Sequence, residues 1–298
     1  GINLWWINPE KIMKLPSVTI KNLLEAGVHL GHKTFRWNPK MNRFIYGSKK
    51  SIHIIDLVQT LELINAALLK IHECVSTGGK ILFVSTKKQA AASIANLAKE
   101  TSQYYVNHRW LGGMLTNWKT ISNSIKRYKK LSLDLKKENT GFTKKELLKM
   151  GIQRDKLERS LGGISEMTKV PDMIFIIDTN IEELAVKESI KLNIPIVAIL
   201  DTNSDPAGIS YPIPGNDDAR RAINLYCDLI KQTIIDAQSR MTKIETTKNQ
   251  INNETELKKE NKKDIKNTDK LNEEKKSTKS KEKIKTVKKI SKSIIFKS

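Results

Sequence analysis

A chain of 298 residues with 39% hydrophobic content has enough apolar material for one large core or two ordinary ones, which excludes disorder throughout. Lys and Arg number 53 against 32 Asp and Glu, and the formal net charge of +21 calls for a polyanionic partner, either nucleic acid or an acidic membrane surface. No run approaches the ~18 consecutive apolar residues of a membrane span. The two cysteines, Cys74 and Cys227, offer neither a disulfide framework nor a CxxC metal site, so a soluble protein of a reducing compartment is expected.

The first residues, GINLWWINPEK, lack a starting Met, the apolar stretch of a signal peptide and the arginines of a transit peptide. Met13 is the expected start, with Gly1 to Ile12 as an extension; in the alternative reading Trp5 and Trp6 form a docking anchor. Residues 19–27, TIKNLLEAG, read as a short helix that Thr19 caps and Gly27 ends, with Leu23 and Leu24 on one face. A loop dense in polar and aromatic groups follows, His29 to Met41. Phe44 to Tyr46 and Ile52 to Ile55 form a hairpin turned around Gly47, Ser48, Lys49 and Lys50. From Asp56 to Thr77 the spacing of Leu57, Leu61, Ile64, Leu68 and Ile71 is helical.

Ile81 to Val84, Met173 to Ile177 and Ile196 to Leu200 are short apolar runs without polar alternation, as strands buried on both faces are. Helices over about Lys87 to Ser102, Ile181 to Leu192 and Asp217 to Gln238 alternate with them. The pattern predicts a parallel α/β sheet flanked by helices. Between the strand groups lie two lysine-rich helical stretches, Asn117 to Lys137 and Lys144 to Leu161. Ile121, Ile125, Tyr128 and Leu135 on one, and Leu147, Met150, Leu157 and Leu161 on the other, step at coiled-coil increments. They predict a protruding antiparallel helical hairpin turned near Asn139 to Phe142. Its outer Lys126, Arg127, Lys129 and Lys130 face either solvent or RNA.

After Ser239 apolar residues thin out, and 19 Lys/Arg stand against 9 Asp/Glu, so this tail is expected to be disordered and basic. It adds sequence-blind attraction to phosphate, or else only solubility. The expected organisation is an N-terminal extension (1–18), an α/β core (19–116 and 162–238), a helical insertion (117–161) and the tail (239–298).

An α/β sheet invites a nucleotide enzyme, but no strand-to-helix junction carries G-x-G-x-x-G or G-x-x-x-x-G-K-[ST], and Gly78-Gly79 reads as a helix stop. Ser85-Thr86-Lys87-Lys88 places hydroxyls and two ammonium groups at a helix start, which suits either an ordinary N-cap or a phosphate. Asp178-Thr179-Asn180 and Asp201-Thr202-Asn203 put carboxylates at the carboxyl edge of the sheet. Mg²⁺ or acid/base chemistry would use such pairs, yet Asx turns and caps need the same residues, and no histidine, serine elbow or lysine motif joins them. A structural role is expected there. The five histidines show no H-E-x-x-H spacing, and His29 and His32, three apart without cysteine partners, predict no metal site.

Asn107-His108-Arg109-Trp110, then Gly112-Gly113, then Asn117-Trp118-Lys119 combine cation, aromatic and pliable backbone. Such groups suit phosphate contact and base stacking, while the rival reading makes Trp110 and Trp118 core anchors. The whole segment NHRWLGGMLTNWKT resembles the signature of the bacterial and organellar small-subunit ribosomal protein S-two family, in an alphaproteobacterial style. AGVHLGHK at Ala26, RWNPKM at Arg36, IHIID at Ile52, KILFVSTK at Lys80, SLGGI at Ser160, PDMIFIIDTN at Pro171, IPIVAILDTNSDP at Ile194 and YPIPGNDDARRAI at Tyr211 agree with it in order. The resemblance spans about Leu15 to Asp236.

It implies a flavodoxin-like core with the helical hairpin, and a structural protein without catalysis, cofactor or small-molecule substrate. It further implies a seat between head and body of the small subunit, contact with small-subunit rRNA and neighbouring ribosomal proteins, and, in bacteria, help in recruiting ribosomal protein S-one. The RNA-facing groups it implies are His29, His32, Lys33, Arg36, Trp37 and Lys40 of the first loop, Lys49 and Lys50 of the turn, Lys87 and Lys88, and His108, Arg109, Trp110, Asn117 and Lys119. Arg109 and Lys119 are expected outward and Trp118 inward. Bacterial cytoplasm is the expected location, with an organelle-encoded copy in the mitochondrial matrix as the alternative.

Overall fold

Thr19 and Asn22 close a reciprocal capping box, and Gly27, at φ 78°, ends the helix they start; α1 spans Ile20–Ala26. The computed structural model describes residues 15–136 and 142–242. The extension 1–12, most of the expected hairpin turn and nearly all of the basic tail therefore lie outside the described residues.

Three antiparallel strands follow α1: β1 (Leu30–Lys33), β2 (Ile45–Lys49) and β3 (Ile52–Ile55), in the order β1-β3-β2. β1 falls within the segment expected to be loop, because its LGHK sequence carries no apolar alternation. Two 3-10 turns, Thr34–Arg36 and Pro39–Phe44, join it to β2. The hairpin turn is Lys50-Ser51, both with positive φ (50° and 59°), so β2 continues through Gly47 to Lys49, with its register against β3 shifting between Ile45 and Gly47. Two successive left-handed residues give the strand twist a two-residue hairpin needs, which here overrides the glycine as turn marker.

The second sheet holds five parallel strands: β4 (Ile81–Val84), β5 (Tyr104–Val106), β6 (Met173–Ile177), β7 (Ile196–Leu200) and β8 (Tyr211–Pro214), ordered β5-β4-β6-β7-β8. Counted within this sheet the order is 2-1-3-4-5, the flavodoxin-like arrangement, whose direction of winding reverses between β4 and β6. β5 and β8 escape the sequence pattern. One is three residues long; the other carries Pro212 and Pro214, which an edge strand tolerates.

Alternate residues divide the core in two. Ile81, Phe83, Phe175, Ile177, Val197 and Ile199 face one layer, packed by α2 (Leu57–Ser76), α3 (Lys88–Glu100) and the last helix, α7, over 220–242. Leu82, Val84, Ile174, Ile176, Ala198 and Leu200 face the other, against α6 (Glu183–Lys191), Met41, Phe44, Trp110 and the roots of α4 (Trp118–Asp134) and α5 (Lys144–Leu161). Ile121 and Ile125 of α4 share this cluster with Leu161 of α5, and Arg127 donates to Gln153 farther along. The two helices thus run side by side in opposite directions. Lys126, Arg127, Lys129 and Lys130 are exposed.

Candidate nucleic-acid interface

Pairing in the small sheet gathers the basic residues of the first loop and the turn. Lys33 and Lys49 lie opposite Ile52 from its two sides, so their side chains share one face. Thr34 donates its N–H to Ser51, which brings the Lys50 turn alongside, and the Trp37 ring stands 5.6 Å from the ring of His53. Arg36 extends over the Phe35 ring at 5.5 Å, while Arg43 covers Phe44 at 4.5 Å. Lys33, Arg36, Lys40, Arg43, Lys49 and Lys50 are all exposed, although Lys40 also holds Asp205 at 2.7 Å. Phe35 is 72% and Tyr46 81% exposed. Neither aromatic stood out in the sequence, where an apolar residue in a loop or strand is as easily core; Arg43 was missed likewise. An exposed aromatic beside a guanidinium can stack a base while the cation meets phosphate.

The same loop is seated on the carboxyl edge of the parallel sheet. There the His32 backbone N–H donates to Thr202 Oγ1 (3.0 Å), and the Asn38 N–H donates to the Thr202 carbonyl (2.8 Å). Gly31 allows the approach, since a Cβ there would lie 2.6 Å from the Thr202 methyl. The edge where α/β proteins bind small ligands is therefore covered by the protein's own chain.

Beneath the loop is a charge cluster. At the β4/β6 reversal the Lys87 ammonium reaches Asp178 (3.2 Å), Asp217 (2.8 Å) and Asp218 (2.7 Å) with only 10% of its side chain exposed. Burial opposes its charge, but the carboxylates outweigh burial and raise its pKa. Asp217 is fully buried; burial, then the charges of Asp178 and Asp201, push its pKa up to about 7 against the pull of Lys87. His32 Nδ1 sits 2.9 Å from Asp201 and Nε2 3.5 Å from Asp218, and the hydrogen bond to Asp201 holds the imidazole pKa up.

This arrangement corrects the reading of Lys87 and His32 as RNA-facing. Both are drawn inward, because one ammonium and one imidazole are the available counterparts to four clustered carboxylates. The expected hydroxyl cap at Ser85-Thr86 is absent as well: α3 starts at Lys88 with Lys87 as an N-cap that makes no side-chain bond. Asp178, at φ 66°, accepts from the amides of Asn180 and Ile181, a turn function, besides its bond to Lys87. Asn216 accepts from Asp218 and Ala219, so α7 begins later than expected and Asp217 is left to the cluster.

The 107–119 segment is organised by a residue the sequence reading did not single out. Glu188, on α6, takes Trp110 Nε1 (3.1 Å) and the Gly113 amide (2.7 Å) on one oxygen, and the amides of Leu115 (2.9 Å) and Thr116 (3.1 Å) with the Thr116 hydroxyl (3.2 Å) on the other. Burial alone would raise its pKa; the donors overcome that and lower it. Trp110, 7% exposed, is a core anchor and leaves the RNA-facing set, with Trp118 packed at the border of the same cluster. His108, Arg109, Asn117 and Lys119 are exposed, as is Lys88, while His29 is half-buried. No signal at Glu188 itself marks it, because its partners lie more than seventy positions away.

Fold and surface together define a doubly wound α/β protein whose carboxyl edge is covered by its own chain and whose exposed loops carry cations and aromatics. The sequence model of the family described as Ribosomal protein S2 matches residues 23–237, and the chain belongs to that family. It is similar to the small ribosomal subunit protein uS2 of Parvibaculum lavamentivorans (57% identical, covering 76% of this chain and 90% of the relative). The like-named proteins of Caulobacter vibrioides (58%; 75% and 84%) and Bartonella henselae (58%; 76% and 89%) are similar to it too. All three are bacterial, and the family consists of ribosomal structural proteins, not enzymes. Among the described residues no helix is long and apolar enough to cross a membrane.

Proposed function

We propose that the chain is a structural constituent of the small ribosomal subunit that grips small-subunit rRNA with the β1–β3 face and the 107–119 segment. Lys33, Arg36, Lys40, Lys49, Lys50 and Arg109 neutralise phosphate, and Trp37, Phe35 or Tyr46 packs against sugar or base. The observation that carries this reading is the shared face of Lys33 and Lys49 beside exposed aromatics, in a chain of a ribosomal family. The charge excess of +21 supports it at long range. The seat lies between head and body of the subunit, beside neighbouring ribosomal proteins that in bacteria include S-one, and the compartment is the bacterial cytoplasm.

The test is rRNA binding across a salt series. Arg36→Ala with Lys49→Ala and Arg109→Ala should weaken binding and flatten the dependence of log affinity on log salt, each lost phosphate contact removing ~0.7–0.9 from the slope. An unchanged slope sinks the assignment of these residues. Incorporation into small subunits washed at high salt, compared with and without residues 243–298, tells a core-held protein from a tail-held one.

A further inference from the structure

His32, Asp201, Asp217 and Asp218 offer ligand atoms that all lie within 4.8 Å of one another, brought from β1, the end of β7 and the entry to α7. Their geometry is unusual in one respect. With Nδ1 given to Asp201, the remaining imidazole nitrogen, Nε2, faces Asp218 Oδ2 at 3.5 Å. Two acceptors held face to face need a cation between them or a proton on the ring. Ligands of a tetrahedral ion with bonds of ~2.0–2.1 Å stand about 3.4 Å apart, close to the 3.5 Å between His32 Nε2 and Asp218 Oδ2.

Two independent observations point into the same place. Asp217 is wholly buried, and while its Oδ1 is taken by Lys87, its Oδ2 has no hydrogen-bond partner. The Tyr226 hydroxyl, also buried and without a partner, lies against Gly215, where a Cβ would come within 2.3 Å of it, in the same turn that delivers Asp217. Lone buried polar atoms of this kind are costly unless an ion or a water bound to it satisfies them. Lys87 supplies one positive charge to Asp178, Asp217 and Asp218, and Asp201 adds a fourth carboxylate, so the cluster retains negative charge that a divalent ion would balance.

We propose that His32 Nε2, Asp217 Oδ2 and Asp218 Oδ2 bind one divalent transition-metal cation of the Zn²⁺ class, with Asp201 orienting the imidazole and a water as fourth ligand towards the Tyr226 hydroxyl. An imidazole with carboxylates favours such an ion over Mg²⁺, and a carboxylate on the far ring nitrogen is the usual support for a metal-bound histidine. The ion ties β1, and with it the basic loop, to the end of β7 and to α7. Sequence spacing hides the site because its ligands come from segments about 185 positions apart.

The full chain, stripped with a chelator, is titrated with Zn²⁺ in the absence of RNA by calorimetry in two buffers of different ionisation heat. One equivalent should bind with release of the competing His32 proton. His32→Gln should abolish that event, Asp218→Asn should weaken it by tenfold or more, and Asp201→Asn should weaken it by ~10–100-fold. Hydrogen exchange of the amides of residues 29–40 should slow on adding Zn²⁺ to the wild type and not to His32→Gln. Because Asp218 is half exposed, Asp218→Asn keeps the fold, which circular dichroism checks. Failure to bind at micromolar Zn²⁺, or binding that survives both His32→Gln and Asp218→Asn, overturns the site and leaves a protonated histidine and ordered water in its place. Neither result depends on rRNA binding, so the two readings fail separately.

Discussion

Glu188 converts a glycine-rich segment into a fixed one: five donors from Trp110 to Thr116 converge on a single carboxylate. Its replacement by Ala should destabilise the chain by about 2 kcal/mol. That is the middle of the range for hydrogen bonds to a charged group, trimmed because part of the carboxylate stays in water. Chemical denaturation measures it, and loss of affinity for rRNA through a loosened Arg109 should accompany it. The sign of the pH effect follows from the depressed pKa: the carboxylate's contribution is present above the ordinary value of 4.5 and disappears as pH falls through the lower folded value. Glu188→Gln should therefore lose stability at neutral pH and show a weaker acid dependence than the wild type. Gly31 is the other residue on which the loop depends. A Cβ there meets the Thr202 methyl, so Gly31→Ala should cost about 1–3 kcal/mol, and adding Thr202→Ser should recover part of that loss.

Among the elements, the β2–β3 hairpin carries a strain that separates stability from binding. Ser51, at φ 59°, occupies a left-handed conformation that favours glycine, and Ser51→Gly should stabilise the protein by about 1 kcal/mol with rRNA affinity unchanged. Lys50→Gly, at φ 50°, should likewise stabilise but weaken rRNA binding, because it also removes an exposed cation. Thermal melts and binding isotherms on the two variants test the distinction; equal affinities would remove Lys50 from the interface. The helical pair depends on its root in another way. Ile121 and Leu161 are buried at the core end while the outer positions are charged, so Leu161→Ala should cost ~2–5 kcal/mol and Lys130→Ala close to nothing.

At the scale of the molecule, the chain carries a net charge of +21 while the carboxyl edge of its parallel sheet holds the loop that displays Lys33, Arg36 and Lys40. The buried runs Ile81–Val84, Met173–Ile177 and Ile196–Leu200 declared a parallel sheet from sequence because strands covered on both faces must be apolar without alternation. The periodicity of Ile121, Ile125, Leu157 and Leu161 declared the two long helices for a similar reason, and the ordered motifs declared the family. β1, β5 and β8 were not legible, since their short, polar or proline-bearing sequences become strands only when a neighbour offers its hydrogen bonds. The direction in which each candidate cation or aromatic points was equally hidden. Lys87, His32 and Trp110 look like interface residues in the chain and are inward-facing in the fold, because Asp217, Asp201 and Glu188 reach them from distant segments. Local composition determined which elements exist and what charge they carry together; only long-range packing decided which of those charges the protein pairs internally and which it leaves on its surface.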